Sequence, residues 1–167
     1  IERFAEEVRH ALQRWCPRHV AEGRIGPLWA DPAGAKRDEV FEVAVFDHLR
    51  RHGFDARPAP TQDPRLRVQA ISAPCERMID GRPGLLVSRE GAPWLHKGLL
   101  GGWHYKRLRV SGDERYADKP VKNDYSHVCD ALGYALLGGG ELAEVRHGSG
   151  GGVRVTRAEV SIDPLAW

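Results

Sequence analysis

Two aspartates are candidates for chemistry because of the elements that carry them. Asp31 follows a short apolar run, residues 25–30, and opens an Asp-Pro-Ala-Gly turn. Asp130 lies in an apolar helical pattern that begins near Asn123. A carboxylate in such a helix is costly to bury unless a metal ion or a basic partner compensates its charge. Converging carboxylates bind Mg²⁺ or Mn²⁺, and a pair of these ions can activate water for phosphodiester cleavage.

Each of these residues also has an ordinary structural explanation. Asp-Pro-Ala-Gly at 31–34 is good turn chemistry. Asp130 can lie hydrated at the edge of the apolar face, as most charged residues do. His127 shares a helix face with Asp130 and is a candidate to orient a metal ligand or a scissile phosphate. A histidine on a helix is more often structural than catalytic, so both interpretations are open at the level of the residues.

A basic segment between Lys97 and Lys122 is a candidate nucleic-acid site. It has seven basic and three acidic residues, a net charge of +4, with Trp103, Tyr105 and Tyr116 interleaved. Such a segment can neutralise a phosphate backbone. A solvated loop beside an edge strand that uses Lys and Arg against aggregation is a comparable interpretation. The residues predicted to contact nucleic acid are Lys97, Lys106, Arg107, Arg109, Lys119 and Lys122.

Length and composition predict a soluble globular domain. The 167 residues are 41% hydrophobic and 29% charged, with a net charge of +2. No apolar run approaches the about 20 residues that cross a bilayer. Three widely spaced cysteines indicate reduced thiols in an intracellular protein. The chain starts at Ile1 in an already helical pattern, which predicts a fragment of a longer protein.

Helices and short strands are predicted to alternate, which indicates an α/β layer structure. Apolar residues at helical spacing predict helices at 2–16, 39–52, 63–79 with a kink or break at Pro74, 93–100 and 124–137. Strands are predicted at 25–30, at the start of 54–60, at 84–88 and at 103–108, and a polar loop at 109–122. Residues 1–138 are predicted to form the domain, 139–152 a glycine-rich linker and 153–167 a tail that is either docked or disordered.

Four segments together resemble the nuclease domain of the large terminase subunit of tailed bacteriophages. The most specific segment is Ser126-His127-Val128-Cys129-Asp130-Ala131-Leu132-Gly133-Tyr134. The Asp-Pro-Ala-Gly turn with Arg37 nearby, the stretch 56–70 with an Arg in a helix after a Pro/Thr-rich link, and Gly-Gly-Trp-His-Tyr at 101–105 agree with it in order. The resemblance covers roughly residues 1–138.

The resemblance implies an RNase H-like three-layer fold with a mixed sheet and a metal-dependent DNA endonuclease. Asp31 and Asp130 then correspond to the second and third acidic motifs, ligands of a two-metal Mg²⁺ or Mn²⁺ site, and His127 assists them. The substrate would be concatemeric double-stranded DNA in the cytoplasm of an infected bacterium. The implied partners are the portal, the small terminase subunit and the ATPase domain of the same protein, with no membrane.

The chain departs from the family at its start. The family's first acidic motif lies on strands upstream of residues 2–16 and is missing here, as is any phosphate-binding Gly-x-x-x-x-Gly-Lys-Ser/Thr run. We therefore expect an exposed sheet edge and weak metal binding, hence little activity alone. Asp38, Asp118 and Asp124 are lower-ranked additional ligands. The alternatives are another RNase H-like nuclease of the resolvase or integrase type, or a non-catalytic DNA-binding or assembly module.

Overall fold

The computed structural model describes residues 2–35, 44–108 and 115–147. Its helices in these ranges are α1 (Glu2–Trp15), α2 (Pro17–Ala21), α3 (Val45–Arg51), α4 (Pro64–Glu76), α5 (Pro93–Lys97), α6 (Asp124–Leu136) and α7 (Leu142–His147). The strands are β1 (Leu28–Ala30), β2 (Ala56–Pro58), β3 (Met78–Ile79), β4 (Arg82–Pro83), β5 (Tyr105–Leu108) and β6 (Arg115–Pro120). The predicted mixture of helices and strands is confirmed.

The strands of the described residues pair two by two. β1 and β2 are parallel, with Leu28 opposite Ala56 and Ala30 opposite Pro58. The pairs β3–β4 and β5–β6 are antiparallel. Both strand directions therefore occur, but in three small sheets and not in one continuous sheet across the described ranges.

The main core lies where α1 and α3 cover the β1–β2 pair. Ala5, Phe46, Leu49 and Ala56 are buried together, and Leu28, Ala30 and Phe54 pack against them. The chain passes from β1 to the parallel β2 through α3. This crossover leaves the C-terminal end of β1, and Asp31 after it, at the edge of the core.

The first helix is amphipathic as predicted, but its apolar face is only partly covered. Ala5 is buried, whereas Phe4 and Trp15 are 55% and 54% exposed. Arg9 lies over the Phe54 ring, 5.3 Å from its centre, and donates a hydrogen bond to the His52 carbonyl. Pro17 ends α1 as predicted, and it also starts α2, because the first helical turn needs no N–H from proline.

Helices α4 and α6 pack against each other, and α6 also packs on β1. The Asp63 side chain caps α4 by accepting from the Arg65 amide at 2.8 Å. The predicted helix 63–79 ends at Glu76, with Pro74 inside its last turn. A Cβ on Gly133 would lie 3.0 Å from Arg67 Cβ, so glycine allows the close approach of the two helices.

The start of α6 agrees with the sequence, while the chain beyond it does not. Asn123 Oδ1 accepts from the Ser126 amide at 3.0 Å, and Ser126 Oγ accepts from the Asn123 amide at 3.2 Å, which forms a capping box. The link predicted from residue 139 is helical as far as His147. Gly140 supplies the turn between α6 and α7 with φ of 122°.

One strand prediction and one loop prediction are wrong. Residues 84–88 form no strand, and the preceding residues form the β3–β4 hairpin, whose turn places Asp80 and Gly81 at positive φ. The predicted polar loop 109–122 contains β6, whose polar side chains give no alternating apolar signal. The Gly53 end of the second predicted helix is confirmed by its φ of 85°, and residues 39–43 of that predicted helix lie outside the described ranges.

No helix in the described part of the chain is long and apolar enough to cross a membrane. Residues 148–167, which include the predicted tail and the end of the predicted linker, lie outside the described ranges.

Candidate functional site

The carboxylate of Asp31 lies just past the C-terminal end of β1 and is held by hydrogen bonds. Its Oδ1 accepts from the Ala33 amide at 2.9 Å and from Gln62 Nε2 at 2.7 Å. The Tyr134 hydroxyl faces the same carboxylate as a third donor. Partial burial acts to raise the pKa of Asp31. The three hydrogen bonds and the charge of Arg67 outweigh it, so the pKa of Asp31 lies below its usual value of 3.8.

The carboxylate of Asp130 is mostly buried and has two basic partners. Its side chain is 13% exposed, which excludes the interpretation that Asp130 stays hydrated at the helix edge. Oδ1 lies 3.3 Å from Arg67 Nε, and Oδ2 accepts from Lys122 Nζ at 2.8 Å. The compensation that a buried carboxylate requires is therefore supplied by two cations of the protein itself.

A buried arginine connects the two aspartates. Arg67 is 8% exposed, and its Nη1 donates to the Tyr134 hydroxyl and, at 3.3 Å, to the Gln62 carbonyl. The guanidinium also lies over the Tyr134 ring, 4.7 Å from its centre. In the part of the chain that the structure describes, its Nε has no well-aligned hydrogen-bond acceptor and is held near Asp130 by charge. If either the buried guanidinium or its carboxylate partner is removed, the other is left as an uncompensated buried charge, and the fold is destabilised.

Tyr134 links this arginine to Asp31. Burial is the main cause that raises the pKa of Tyr134 to about 12, and the nearby Asp31 and Asp130 carboxylates add to it against the opposing charge of Arg67. The hydroxyl therefore stays protonated at neutral pH, so it can donate to Asp31 while it accepts from Arg67. The members of this acid–arginine network are Asp31, Gln62, Arg67, Lys122, Asp130 and Tyr134.

The position of Arg67 in the network has a signal in the sequence. Arg67, Ala70, Ile71 and Pro74 are the buried residues of α4, and they follow the i, i+3, i+4, i+7 spacing of one helix face. An arginine on that face must be paired inside the protein. Tyr134 lies one turn after Asp130 and points to the same network.

His127 lies apart from this network. It is exposed on α6 and makes no hydrogen bond or ion pair among the described residues. The spacing places it one turn before Asp130, but Asp130 and Tyr134 turn toward α4 and β1, while His127 and Ala131 face outward. Its predicted role in orienting a ligand or phosphate has no contact to support it.

The basic residues divide between the site and the rest of the surface. Lys119 and Lys122 line a small cavity next to Asp130. Lys106 and Arg107 are exposed on β5, and Lys97 is exposed at the end of α5. Arg109 lies outside the described residues, as do Arg37 and Asp38.

The carboxylates suit a hard metal ion in kind but not in number. Carboxylate oxygens are the ligands that Mg²⁺ and Mn²⁺ prefer. Within the described ranges, however, no three His, Cys, Asp or Glu side chains converge, and Asp130 is already paired with two cations. Lys122 is 72% exposed and free to move away, whereas Arg67 is enclosed. A metal fits here with a further acidic ligand and with Lys122 displaced.

Two concave surfaces adjoin the network. The first, of about 70 Å³, lies against Asp130 between α4 and the end of β6. The second, of about 710 Å³, lies between the start of α4 and the β5–β6 hairpin. Pro64 and Lys119 line both, so the two are neighbours.

Comparison of the chain with protein-family models, with curated proteins and with solved structures finds no match. The geometry of the network and the sequence motifs are therefore what bears on the function of this chain.

Proposed function

We propose that this chain is part of a metal-dependent DNA endonuclease with an RNase H-like fold, of the kind found in the large terminase subunit of tailed bacteriophages. It would cut concatemeric DNA by phosphodiester hydrolysis. The observation that carries the proposal is the convergence of Asp31 and Asp130, from distant parts of the chain, on Arg67 and Tyr134 at the carboxyl end of a parallel strand. Sites of α/β proteins collect at such ends.

In this proposal each member of the network has a separate task. Asp31 and Asp130 would hold Mg²⁺ or Mn²⁺ together with a further acid from outside the described residues. The bound ions would supply an activated water and stabilise the leaving oxygen. Tyr134, which stays protonated, fixes the orientation of the Asp31 carboxylate, and Arg67 fixes that of Asp130. Lys119 and Lys122 would neutralise backbone phosphate beside the acids.

We propose a substrate, a cellular compartment and partners for this enzyme as well. Its substrate would be double-stranded DNA in the cytoplasm of the infected bacterium, and its partners the portal, the small terminase subunit and an ATPase domain of the same protein. The +4 segment that contains β5 and β6 supports DNA as the substrate, because the net charge of the whole chain is only +2.

A nuclease assay of the full-length protein tests this function. Purified protein is incubated with plasmid DNA in Mn²⁺, Mg²⁺ or EDTA, and Asp130→Asn is compared with Glu7→Gln, which removes an exposed carboxylate of α1. We expect Asp130→Asn to lower the cleavage rate by at least about 100-fold, and Glu7→Gln to leave it within about twofold. Equal cleavage by the two variants would show that Asp130 is not a metal ligand.

A second candidate function is a non-catalytic DNA-binding or assembly module. The observation in its favour is that Arg67 and Lys122 already neutralise Asp130, so the network is also a complete structural ion cluster. In that case DNA binding persists, metal adds nothing to it, and no variant cleaves. Isothermal titration of Mn²⁺ into the protein separates the two functions, because only the nuclease binds the ion through Asp31 and Asp130.

A further inference from the structure

The two concave surfaces beside Asp130 differ in charge. Among the described residues, the smaller, here called the cationic pocket, is lined by the cations Arg67, Lys119 and Lys122, by the carboxylate of Asp130 and by the indole of Trp103. The larger, here called the aromatic groove, is lined by Arg65 and Lys119 against Asp63 and Asp118, so its charges balance. A polyanion that lay evenly along both would be attracted only at the pocket end.

The aromatic groove carries two phenol rings on the inner side of the hairpin. Tyr105 is partly exposed on β5 and Tyr116 is 53% exposed on β6, and both line the groove. The volume of about 710 Å³ falls within the roughly 300–1,000 Å³ of small-molecule and cofactor sites. Aromatic side chains beside a positively charged surface are typical of sites that stack nucleobases.

We propose that the cationic pocket and the aromatic groove together bind one unpaired nucleotide, with its phosphate in the pocket and its base against Tyr105 and Tyr116. The excess positive charge at one end and the two phenol rings at the other match a nucleoside phosphate, whose phosphate is anionic and whose base is aromatic. Lys119, which lines both surfaces, lies where phosphate and sugar would meet.

This arrangement favours an unpaired strand over a duplex. In a duplex the faces of the bases are covered by their neighbours, so a tyrosine in a groove cannot stack on them. An unpaired or flipped nucleotide exposes that face at a cost of a few kcal/mol or less. The inference deepens the proposed function by naming the state of the strand beside the acids, and it rests on that function for the cut but not for the binding.

Fluorescence anisotropy in EDTA measures the binding without cleavage. A labelled single-stranded oligonucleotide and the duplex of the same sequence are titrated with wild-type protein, Tyr116→Ala and Tyr116→Phe. We expect tighter binding of the single strand, about tenfold weaker single-strand binding for Tyr116→Ala, and recovery in Tyr116→Phe, which keeps the ring. Phe4→Ala removes another half-exposed ring, on α1, and should change nothing.

A second pair of variants tests the pocket without risk to the hairpin fold. Lys119→Gln removes an exposed cation of the pocket, and Lys106→Gln removes an exposed cation of the neighbouring strand that lines neither surface. We expect Lys119→Gln to weaken single-strand binding several-fold more than Lys106→Gln. Equal losses, or equal affinity of wild type for single strand and duplex, would overturn the inference in favour of diffuse charge attraction.

Competition distinguishes a nucleotide within a strand from a free nucleotide. A deoxynucleoside monophosphate should displace the labelled strand at lower concentration than inorganic phosphate does, and the oligonucleotide at lower concentration still. If phosphate competes as well as the nucleotide, the base makes no contact and the inference fails. If the binding results hold while the wild type shows no metal-dependent cleavage, the proposed function fails and the nucleotide site stands.

Discussion

At the scale of single residues, the site is organised by an arginine between two acids. Arg67 gives Asp130 a partner inside the protein and gives Tyr134 a donor, and Tyr134 in turn faces Asp31. Removing one partner of a buried ion pair destabilises the fold by more than the intact pair stabilises it, because the remaining charge stays desolvated. The carboxylate positions therefore depend on a residue that is neither acidic nor a metal ligand.

Loss of Arg67 should destabilise the fold strongly. Arg67→Met leaves Asp130 with only Lys122 and leaves the Tyr134 hydroxyl without a donor, so we expect the free energy of unfolding to fall by about 3 kcal/mol. Arg65→Met in the same helix removes a side chain that is 81% exposed and should change it by less than about 0.5 kcal/mol. Urea denaturation followed by circular dichroism measures both, and similar values for the two would contradict a buried ion cluster.

The pKa of Tyr134 gives a second test of the network. Because this pKa is raised to about 12 from an ordinary 10.0, the folded state holds a proton that the unfolded state loses. The stability that it contributes is complete below about pH 10 and is lost as the pH rises toward 12. Ultraviolet titration of phenolate absorbance should show one tyrosine ionising last, and Tyr134→Phe should remove that step. If the step persists in Tyr134→Phe, another tyrosine occupies the buried position.

At the scale of elements, the contact between α4 and α6 brings the network together. The helices approach closely at Gly133, which lies opposite the start of the Arg67 side chain. The capping box at Asn123 and the Asp63 cap fix where each helix begins, and therefore the height of Asp130 and Arg67 along their axes. A wider separation would take Arg67 away from both aspartates.

Substitution of Gly133 by alanine tests this contact. The new Cβ would lie 3.0 Å from Arg67 Cβ, so we expect a loss of about 1–2 kcal/mol in spite of alanine's better helix propensity. Gly139→Ala is the matched control, because within the described ranges no atom outside its own helix and chain neighbours lies within 4 Å of its Cβ position. Thermal unfolding of the two variants measures the difference, and a stabilised Gly133→Ala would show that α4 and α6 are not in close contact there.

At the scale of the whole molecule, folding and metal binding should be coupled through Asp130. An ion that binds only the folded state stabilises it by about 2.7 kcal/mol at 100 times its Kd. We expect Mn²⁺ to raise the Tm of the wild type, to have no such effect on Asp130→Asn, and to act at lower concentration on Lys122→Gln, which removes the competing cation. Differential scanning calorimetry with and without Mn²⁺ measures these shifts in Tm. An equal shift in wild type and Asp130→Asn would show that the ion binds elsewhere.

The sequence was informative where a local pattern carries the information. The spacing of α1, the turn at Asp31 and the cap at Asn123 each depend on neighbouring residues, and all three are found as predicted. The strand β6 was not predicted because its polar residues carry no periodic apolar signal, and α7 because its six residues are too few for one and lie between glycine-rich runs. β6 is held by pairing with β5, and α7 packs against the distant α4.

For the candidate site, the sequence by itself determined which acids merit attention and that a buried Asp130 needs a positive partner. Only the tertiary structure decided what that partner is within the described residues: Arg67 from α4 and Lys122 from the end of the hairpin, with Tyr134 between Arg67 and Asp31. The physical reason is that compensation of charge acts through space. The requirement can be read from one helix, but the residue that meets it depends on how the helices pack.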